Sequence, residues 1–206
     1  MREHWAIVRS TLSPMSFIPK KFQNAASGGN DKPYLSPNKV ESAGQVRFAL
    51  LTDQPLCYFE VWASDGDRRK PFRFADDPTP SEIEAELGPN YTRQENDKGQ
   101  LDPVKFTMAV PIYNYDRGRV ETFTFNQKGI QKEFDEISQM EEYSDLLAWD
   151  FVLTRAEKNS PDMYGLRAVP RKPENKKVVA DAWSAAVDNG YDISRMLTGG
   201  QPHVRE

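Results

Sequence analysis

Histidine and cysteine are almost absent from this chain of 206 residues. The single cysteine, Cys57, rules out an internal disulfide bond and a cysteine-based zinc site. The two histidines, His4 and His203, lie within four residues of the termini, and no histidine lies between them. This absence excludes triads and dyads that use imidazole as the base, and most zinc or non-haem iron sites. Any catalysis would depend on carboxylates, lysine or tyrosine.

Long apolar runs are missing as well. No segment approaches the roughly 18 apolar residues of a membrane-spanning helix, and the N-terminus has basic residues without the apolar core of a secretory signal. We therefore expect a cytosolic protein that does not contact a membrane. The apolar fraction is 38% and aromatic residues make up 11%, which is sufficient for a compact β-rich core.

The net charge of −4 argues weakly against a simple polyanion-binding protein, but the charge is distributed unevenly. Residues 76–102 contain eight acidic and two basic side chains, whereas residues 167–177 contain five basic and one acidic. Because binding responds to the local electrostatic field, an acidic chain can still carry a basic groove. Composition therefore leaves nucleic-acid binding open.

The chain divides into three parts. Glycines, prolines, serines and asparagines in residues 1–40 predict a flexible arm. Met15 opens the segment MSFIPKKF, which resembles a protein start and suggests that residues 1–14 are an upstream extension. The predicted organisation is the arm at 1–40, a folded domain at 41–172 with an acidic insertion at 76–102, and a C-terminal helix and tail at 173–206.

Alternating apolar residues dominate the folded domain. Val46, Phe48 and Leu50 share one face of the first segment, and alternation of this kind predicts half-buried strands. The predicted order is strand 45–63, short strand 71–75, strand 105–115, strand 119–125, helix 127–140, strand 146–155 and strand 163–169.

This order predicts a mixed α+β fold that is mainly β. A helix between the third and fourth of five main strands matches the connectivity of an OB-type five-stranded β-barrel. The Asp116-Arg117-Gly118 turn should join two strands as a tight hairpin. A C-terminal amphipathic helix is predicted at about 175–188, and Gly190 suits its end. This helix packs either on its own barrel or against another subunit or a replication protein.

Several segments are similar to one known family. GQVRFALL, followed by CYFEVW, resembles the first strands of single-stranded DNA-binding proteins from tailed phages, cyanophages among them. VPIYNYDRGRVETFTFNQKGIQKEF resembles the hairpin of that family and the helix that follows it. WDFVLTR and MYGLRAVPRKP resemble its closing strands. The order and spacing of these pieces, over residues 44–173, carry the resemblance.

The resemblance implies an OB fold that binds and protects single-stranded DNA without sequence specificity. The implied setting is phage DNA replication, recombination and repair in the cytoplasm of the infected bacterial host. No enzymatic turnover and no cofactor are implied. The expected partners are single-stranded DNA, phage replication or recombination proteins, and further copies of the chain in an oligomer or in cooperative binding.

Two departures from the family pattern matter. One branch of the phage proteins contains a zinc site, which this chain has no Cys/His cluster to build. Many members end in an acidic tail that recruits partners, whereas this chain ends GGQPHVRE. We hypothesise that the acidic insertion 76–102 takes this role, by lying over the basic groove.

Sequence-independent binding of a strand needs exposed aromatic rings for base stacking and cations for the phosphates. Tyr58 and Trp62 lie on the face opposite the apolar side chains of their predicted strand, and Tyr113 and Tyr115 share a face before the hairpin. Glu60 lies between the first two rings and is unfavourable, because its carboxylate repels phosphate. Alternatively, the arm or the C-terminal helix covers Tyr58 and Trp62, and both belong to the core. The alternative for the second pair is a hairpin with solvated charges and a tyrosine that packs across the sheet.

The cation candidates form two groups. They are Arg68, Arg69, Lys70 and Arg73 near one strand end, and Arg117 and Arg119 on either side of the hairpin glycine. A run of charges of this kind can also be a solvated loop without a ligand. Phe123 and Phe125 are predicted to be core residues, and Cys57 is predicted to be an inert buried thiol.

Two other classes of function stay open. A metal-dependent nuclease needs carboxylates that converge from rigid elements, and Asp116 and Asp150 are the strand-associated candidates. A structural or adaptor protein of the phage replisome or virion would use the barrel for protein contacts only. A DNA-binding measurement distinguishes the two, because a protein that stacks bases on Trp62 binds DNA and a structural or adaptor protein does not.

Overall fold

The computed structural model describes residues 32–157, 160 and 162–203. The predicted extension at 1–14 and most of the predicted arm lie outside these residues. The described strands are β1 (Tyr34–Leu35), β2 (Gly44–Leu50), β3 (Leu56–Asp65), β4 (Arg68–Phe74), β5 (Thr92–Arg93), β6 (Lys105–Asn114), β7 (Arg119–Phe125), β8 (Trp149–Arg155) and β9 (Tyr164–Pro170). The α-helices among them are α1 (Pro80–Leu87), α2 (Lys128–Gln139) and α3 (Pro173–Asp188), and short 3-10 helices cover Pro37–Lys39, Glu141–Tyr143, Leu146–Ala148 and Ile193–Thr198.

The described strands form one sheet around the long strand β6. The first half of β6 pairs with β3 and its last residues pair with β2, while β7 pairs along the other edge. The sheet continues from β2 through β8 to β9, and from β3 to β4 and β5. The predicted mixed α+β fold is confirmed. The segment predicted as strand 45–63 divides into β2 and β3, which pair with opposite halves of β6.

The last part of the predicted arm is ordered. β1 pairs in parallel with β7, with Tyr34 opposite Thr122 and Leu35 opposite Phe123. Leu35 is buried in the main core, and the compact unit begins at Pro33. The prediction of flexibility as far as residue 40 is therefore wrong for these last residues, because backbone pairing and apolar burial hold them on the sheet.

The closed five-stranded barrel is not shown. The described residues contain no backbone pairing between β7 and β9, so the sheet is open on that side. Helix α2 lies beside this opening. The ring of Phe134 packs 5.3 Å from both Phe125 of β7 and Phe151 of β8, measured between ring centroids. The Glu133 carboxylate accepts a 2.6 Å hydrogen bond from the backbone N–H of Leu166 at the free edge of β9.

The main core lies between the sheet and α2, and it follows from the alternation in the sequence. Phe48 of β2 packs against Phe123 of β7 at 5.3 Å and against Phe151 of β8 at 5.9 Å. Ile130 and Ile137 of α2 close the core at helical spacing. The predicted core positions of Phe123 and Phe125 are confirmed.

A second, smaller core lies between α1 and the β3–β4 hairpin. Thr79 begins α1 with a capping box, in which its side chain and that of Glu82 each bind the other residue's backbone N–H. Ile83 and Leu87 of this helix pack against a buried apolar patch on the hairpin. Cys57 near the start of β3 is exposed, so its prediction as a buried thiol is wrong. Cys57 lies outside the apolar cluster that α1 forms with the hairpin.

The C-terminal segment covers the sheet face opposite the main core. Val179 of α3 is buried against Ala49, Leu51 and Tyr113, and Met196 of the last 3-10 helix is buried against Tyr58. The interpretation that the C-terminal helix packs on its own sheet is confirmed. Within the part of the chain that the structure describes, every helix is too short or too polar to cross a membrane.

His203 lies where the end of this segment contacts the sheet. Its ring lies 4.8 Å from the Tyr191 ring, and its Nε2 lies 3.3 Å from Thr122 Oγ1. Burial is the largest cause that lowers the pKa of His203 below its ordinary 6.5, and the nearby Arg119 cation lowers it further. Glu121 and a hydrogen bond to the backbone of Pro33 oppose this shift but do not cancel it. The unfolded chain therefore binds the proton more readily than the folded chain.

We expect the urea midpoint of unfolding to fall as the pH drops through the unfolded value of about 6.5, until the folded His203 is also protonated. Urea titrations at about pH 7.5 and about pH 5.5 measure this change. The His203→Gln variant, which cannot take up the proton, should lose less stability over the same interval. An identical loss in both proteins would assign the pH dependence to other groups.

Candidate nucleic-acid interface

A groove with basic and aromatic walls lies on the sheet face opposite the main core, over β3, β4 and the start of β6. Cross-strand pairing places Glu60 opposite Arg73 and Ser64 opposite Arg69. Because side chains alternate along a strand, Trp62 points to the same face as these residues. The groove encloses about 390 Å³, and we call it the basic groove. It brings together Trp62, Arg69 and Arg73, which the sequence predicted for binding.

Glu60 organises this groove. Glu60 is only 7% exposed, and its Oε1 accepts a 2.9 Å hydrogen bond from the indole N–H of Trp62. Its Oε2 accepts a 3.0 Å hydrogen bond from Arg73. The expected repulsion of phosphate by Glu60 is therefore offset, since its negative charge is already paired with the Arg73 guanidinium.

Arg73 is a supporting residue of the groove. Besides its bond to Glu60, it donates a 3.1 Å hydrogen bond to the backbone oxygen of Met196, and its guanidinium lies 5.4 Å from the Tyr58 ring centroid. Its side chain is 16% exposed. The prediction that Arg73 contacts phosphate is thus weakened, because the guanidinium is already bonded on two sides.

Arg69 and Lys105 supply the accessible positive charge. Arg69 is exposed, and its guanidinium lies 4.7 Å above the Trp62 ring, in cation–π contact. Lys105 lines the same groove from the first position of β6, opposite Glu60. Sequence reasoning missed Lys105, because only the pairing of β6 with β3 brings it beside Trp62. The one signal in the sequence was the position of Lys105 at the start of the predicted strand 105–115.

Tyr58 does not present a stacking surface. Its side chain is 1% exposed and packs against Ala109 and Met196. Burial raises the pKa of its phenol, which keeps the hydroxyl neutral at the floor of the groove. The prediction of base stacking on Tyr58 is wrong for this conformation, and the physical reason is the C-terminal 3-10 helix that lies over the ring.

Arg68 and Lys70 point away from the basic groove. They alternate with Arg69 along β4 and share the face that packs against α1. The Lys70 ammonium lies 4.2 Å from the Phe72 ring centroid and 4.6 Å from that of Tyr91. The three consecutive cations therefore divide between two faces, and only Arg69 reaches the groove.

The acidic insertion also lies on the α1 side of the hairpin. Its helix α1 packs against Val61, Ala63 and Phe72, which face away from Trp62. No residue of 76–102 lines the basic groove in the described chain. The hypothesis that the insertion covers the groove is therefore wrong in this conformation, because its apolar residues are committed to the other face.

The second predicted cluster, around the β6–β7 hairpin, has a structural role. Gly118 adopts a positive φ of 62°, as the tight turn requires. Glu121 is fully buried and accepts hydrogen bonds from Arg117 at 3.1 Å and from Arg119 at 2.9 Å. Asn114 donates a further bond of 2.9 Å to the same carboxylate. The prediction that Arg117 and Arg119 contact phosphate is weakened, because a buried carboxylate holds both arginines.

The two tyrosines before this hairpin are also held in place. Tyr113 is 7% exposed beneath α3, and the Tyr115 hydroxyl donates a 2.9 Å hydrogen bond to Asp150. Asp150 is fully buried and accepts bonds from Arg47 at 2.7 Å and from Arg171 at 2.8 Å. Tyr113 is covered by α3, and the half-exposed Tyr115 is held by Asp150 outside the basic groove. Asp150 thereby joins β2, β8 and the chain that leads to α3.

The carboxylates nominated for metal catalysis do not form a metal site. Both oxygens of Asp150 accept hydrogen bonds from protein donors, and Asp116 lies exposed in the hairpin turn. In the described chain, no group of three or more His, Cys, Asp or Glu side chains is placed to hold a metal ion. The geometry gives the nuclease hypothesis no site.

Comparison with known proteins identifies no relative. No family model, no curated protein and no solved structure matches this chain. Any function assigned to the chain therefore depends on the geometry of the basic groove and on the resemblance of the individual segments.

Proposed function

We propose that this protein binds single-stranded DNA without sequence specificity and without turnover, in the replication, recombination and repair of phage DNA inside the infected bacterial cell. A base stacks on Trp62, and Arg69 and Lys105 neutralise the adjoining phosphates. The protein needs no cofactor for this role.

The observation that carries the proposal is the composition of the basic groove. A partly exposed indole lies among three cations, and the one carboxylate in the groove is paired with one of them. Aromatic stacking and phosphate neutralisation are the two interactions that hold a strand irrespective of its sequence. The Arg69 guanidinium already packs over the face of the Trp62 ring. A base that replaces it on this face would release the guanidinium to pair with phosphate.

We further propose that the sheet is a distorted OB-type barrel. If β2 and β3 count together as the first strand, its pairings with β6 and β8 agree with OB connectivity, as do the pairings β6–β7 and β8–β9. Helix α2 follows the third of these five strands and lies between β7 and β9, where the last barrel pairing would be.

The proposal is tested by comparing two neighbouring arginines. Arg69→Ala removes a cation from the basic groove, whereas Arg68→Ala removes another exposed cation from the opposite face of β4. We expect Arg69→Ala to weaken binding of labelled oligothymidine roughly threefold to tenfold and to reduce the slope of log K against log salt by about 0.7. Arg68→Ala should change neither quantity.

Fluorescence anisotropy over a salt series measures both quantities, with duplex DNA as a competitor. Equal losses in the two variants would indicate only a general effect of net charge and would contradict the assignment of the groove. No binding by the unaltered protein at low salt would contradict DNA binding itself.

A second candidate function is a structural or adaptor role in the phage replisome or virion. It is favoured by the burial of Tyr58 and Tyr113, which leaves Trp62 as the one predicted ring of the basic groove that is partly exposed. An adaptor would show neither salt-dependent binding to oligothymidine nor quenching of Trp62 fluorescence.

A further inference from the structure

An apolar cleft opens at one end of the main core, between β2, β6 and α2. It encloses about 400 Å³, and we call it the apolar cleft. Its walls are the apolar side chains Leu50, Pro55, Phe106, Met108, Val110, Phe125, Phe134 and Leu146. Phe106 is 41% exposed and has one ring neighbour among the described residues, Phe59, at 5.5 Å. Exposed apolar surface of this kind in a concave site is typical of binding sites.

The polar rim of this cleft carries negative charge and no positive charge. Asp53 and Asp135 are both exposed, and no lysine or arginine lines the cleft in the described chain. Thr52, Gln131 and Ser138 complete the rim. Gln131 donates a 3.3 Å hydrogen bond to the backbone oxygen of Phe106, and Ser138 donates a 2.7 Å hydrogen bond to that of Asp135. The Asp53 carboxylate makes no hydrogen bond or ion pair with another described residue.

The cleft and the basic groove lie on opposite faces of the sheet. Lys105 and Phe106 are neighbours on β6, and their side chains point to opposite sides of the strand. Lys105 lines the basic groove, whereas Phe106 lines the apolar cleft. A nucleic acid is disfavoured in the cleft by the two carboxylates, and so is a fatty acid, because each ligand is negatively charged.

We propose that the apolar cleft binds a peptide segment of a partner protein that presents a bulky apolar side chain beside a lysine or arginine. The apolar side chain enters between Phe106 and Phe134, and the cation approaches Asp53 and Asp135. An apolar anchor inside a polar rim is the usual arrangement of an energetically dominant contact in a protein interface. This site is independent of the proposed DNA-binding function.

Synthetic peptides test the proposal directly on the ¹⁵N-labelled full chain. We expect acetyl-Gly-Lys-Phe-Lys-Gly-amide to shift backbone amide resonances around the cleft in a saturable manner, with a dissociation constant of about 1 mM. The same peptide with glutamate in place of lysine should bind about tenfold more weakly, and the peptide with alanine in place of phenylalanine should not bind at the cleft. Shifts elsewhere only, no shifts, or equal binding of the three peptides would overturn the proposal.

Two neighbouring residues of α2 provide a matched pair of variants. Asp135→Asn removes a carboxylate of the rim, and Glu136→Gln removes one that does not line the cleft. We expect the first to weaken binding of the lysine peptide about threefold and the second to leave it unchanged. Ser138→Trp should fill the cleft and abolish peptide binding while oligothymidine binding persists. Equal effects of the two charge variants, or peptide binding by Ser138→Trp, would contradict the site, whether or not the protein binds DNA.

Discussion

Replacing Trp62 with alanine is expected to weaken binding of oligothymidine roughly 5- to 150-fold. Stacking of one base on an aromatic side chain contributes about 1–3 kcal/mol. A loss of that free energy corresponds to a decrease in affinity of about 5- to 150-fold. Trp62 is the one predicted ring in the basic groove that the C-terminal segment leaves partly exposed. The other predicted ring that lines this groove, Tyr58, is buried and therefore does not compensate for its loss.

Trp62→Phe is the matched control for this change. Phenylalanine keeps an aromatic face but cannot donate to Glu60, so binding should fall much less than in the alanine variant. Anisotropy at fixed salt measures the affinities, and urea unfolding verifies that both variants are folded. An alanine variant that binds as tightly as the unaltered protein would remove the stacking role of Trp62. Such a result would leave at most an electrostatic contact between the basic groove and the DNA strand.

Replacing Asp150 with alanine is expected to destabilise the fold by about 3–5 kcal/mol, a large share of the stability of a single domain. The carboxylate is fully buried and accepts hydrogen bonds from Arg47, Arg171 and Tyr115. The Arg171 side chain is only 8% exposed, so its charge would stay buried without a counter-ion. Arg47 is 32% exposed and can recover part of its hydration.

The exposed pair of Lys177 and Asp181 on α3 provides the control for Asp150. The Lys177 Nζ and Asp181 Oδ2 atoms lie 2.9 Å apart, but both side chains are mostly exposed. Asp181→Ala should change the free energy of unfolding by less than about 0.5 kcal/mol, because solvent already screens this pair. Urea titrations followed by far-ultraviolet circular dichroism measure both variants. Comparable losses from Asp150→Ala and Asp181→Ala would mean that burial does not set the importance of Asp150.

Three buried carboxylates explain why the number of basic residues in the sequence overstates the charge available for a ligand. Glu60 holds Arg73, Glu121 holds Arg117 and Arg119, and Asp150 holds Arg47 and Arg171. A buried carboxylate is stable only with such partners. Each of these arginines therefore stabilises the fold, and its charge is already compensated when a ligand approaches. Arg69 and Lys105 remain as the cations of the basic groove without an ion-pair partner among the described residues.

Local periodicity in the sequence predicted most of the secondary structure. The helix predicted at 127–140 is α2 at Lys128–Gln139, and the C-terminal helix predicted at about 175–188 is α3 at Pro173–Asp188. The hairpin at Gly118 and the core positions of Phe123 and Phe125 are also present. These features depend on side-chain spacing along one segment, which a sequence displays directly.

Whether a predicted binding residue is accessible was decided by the tertiary structure alone. The period-two pattern placed Tyr58 and Trp62 on one face, but only the docking of the last 3-10 helix buries Tyr58 and leaves Trp62 partly open. The same holds for Lys105, which reaches Trp62 through the pairing of β6 with β3. Alternation determines which side of a strand a residue occupies, whereas the elements that cover that side come from distant parts of the chain.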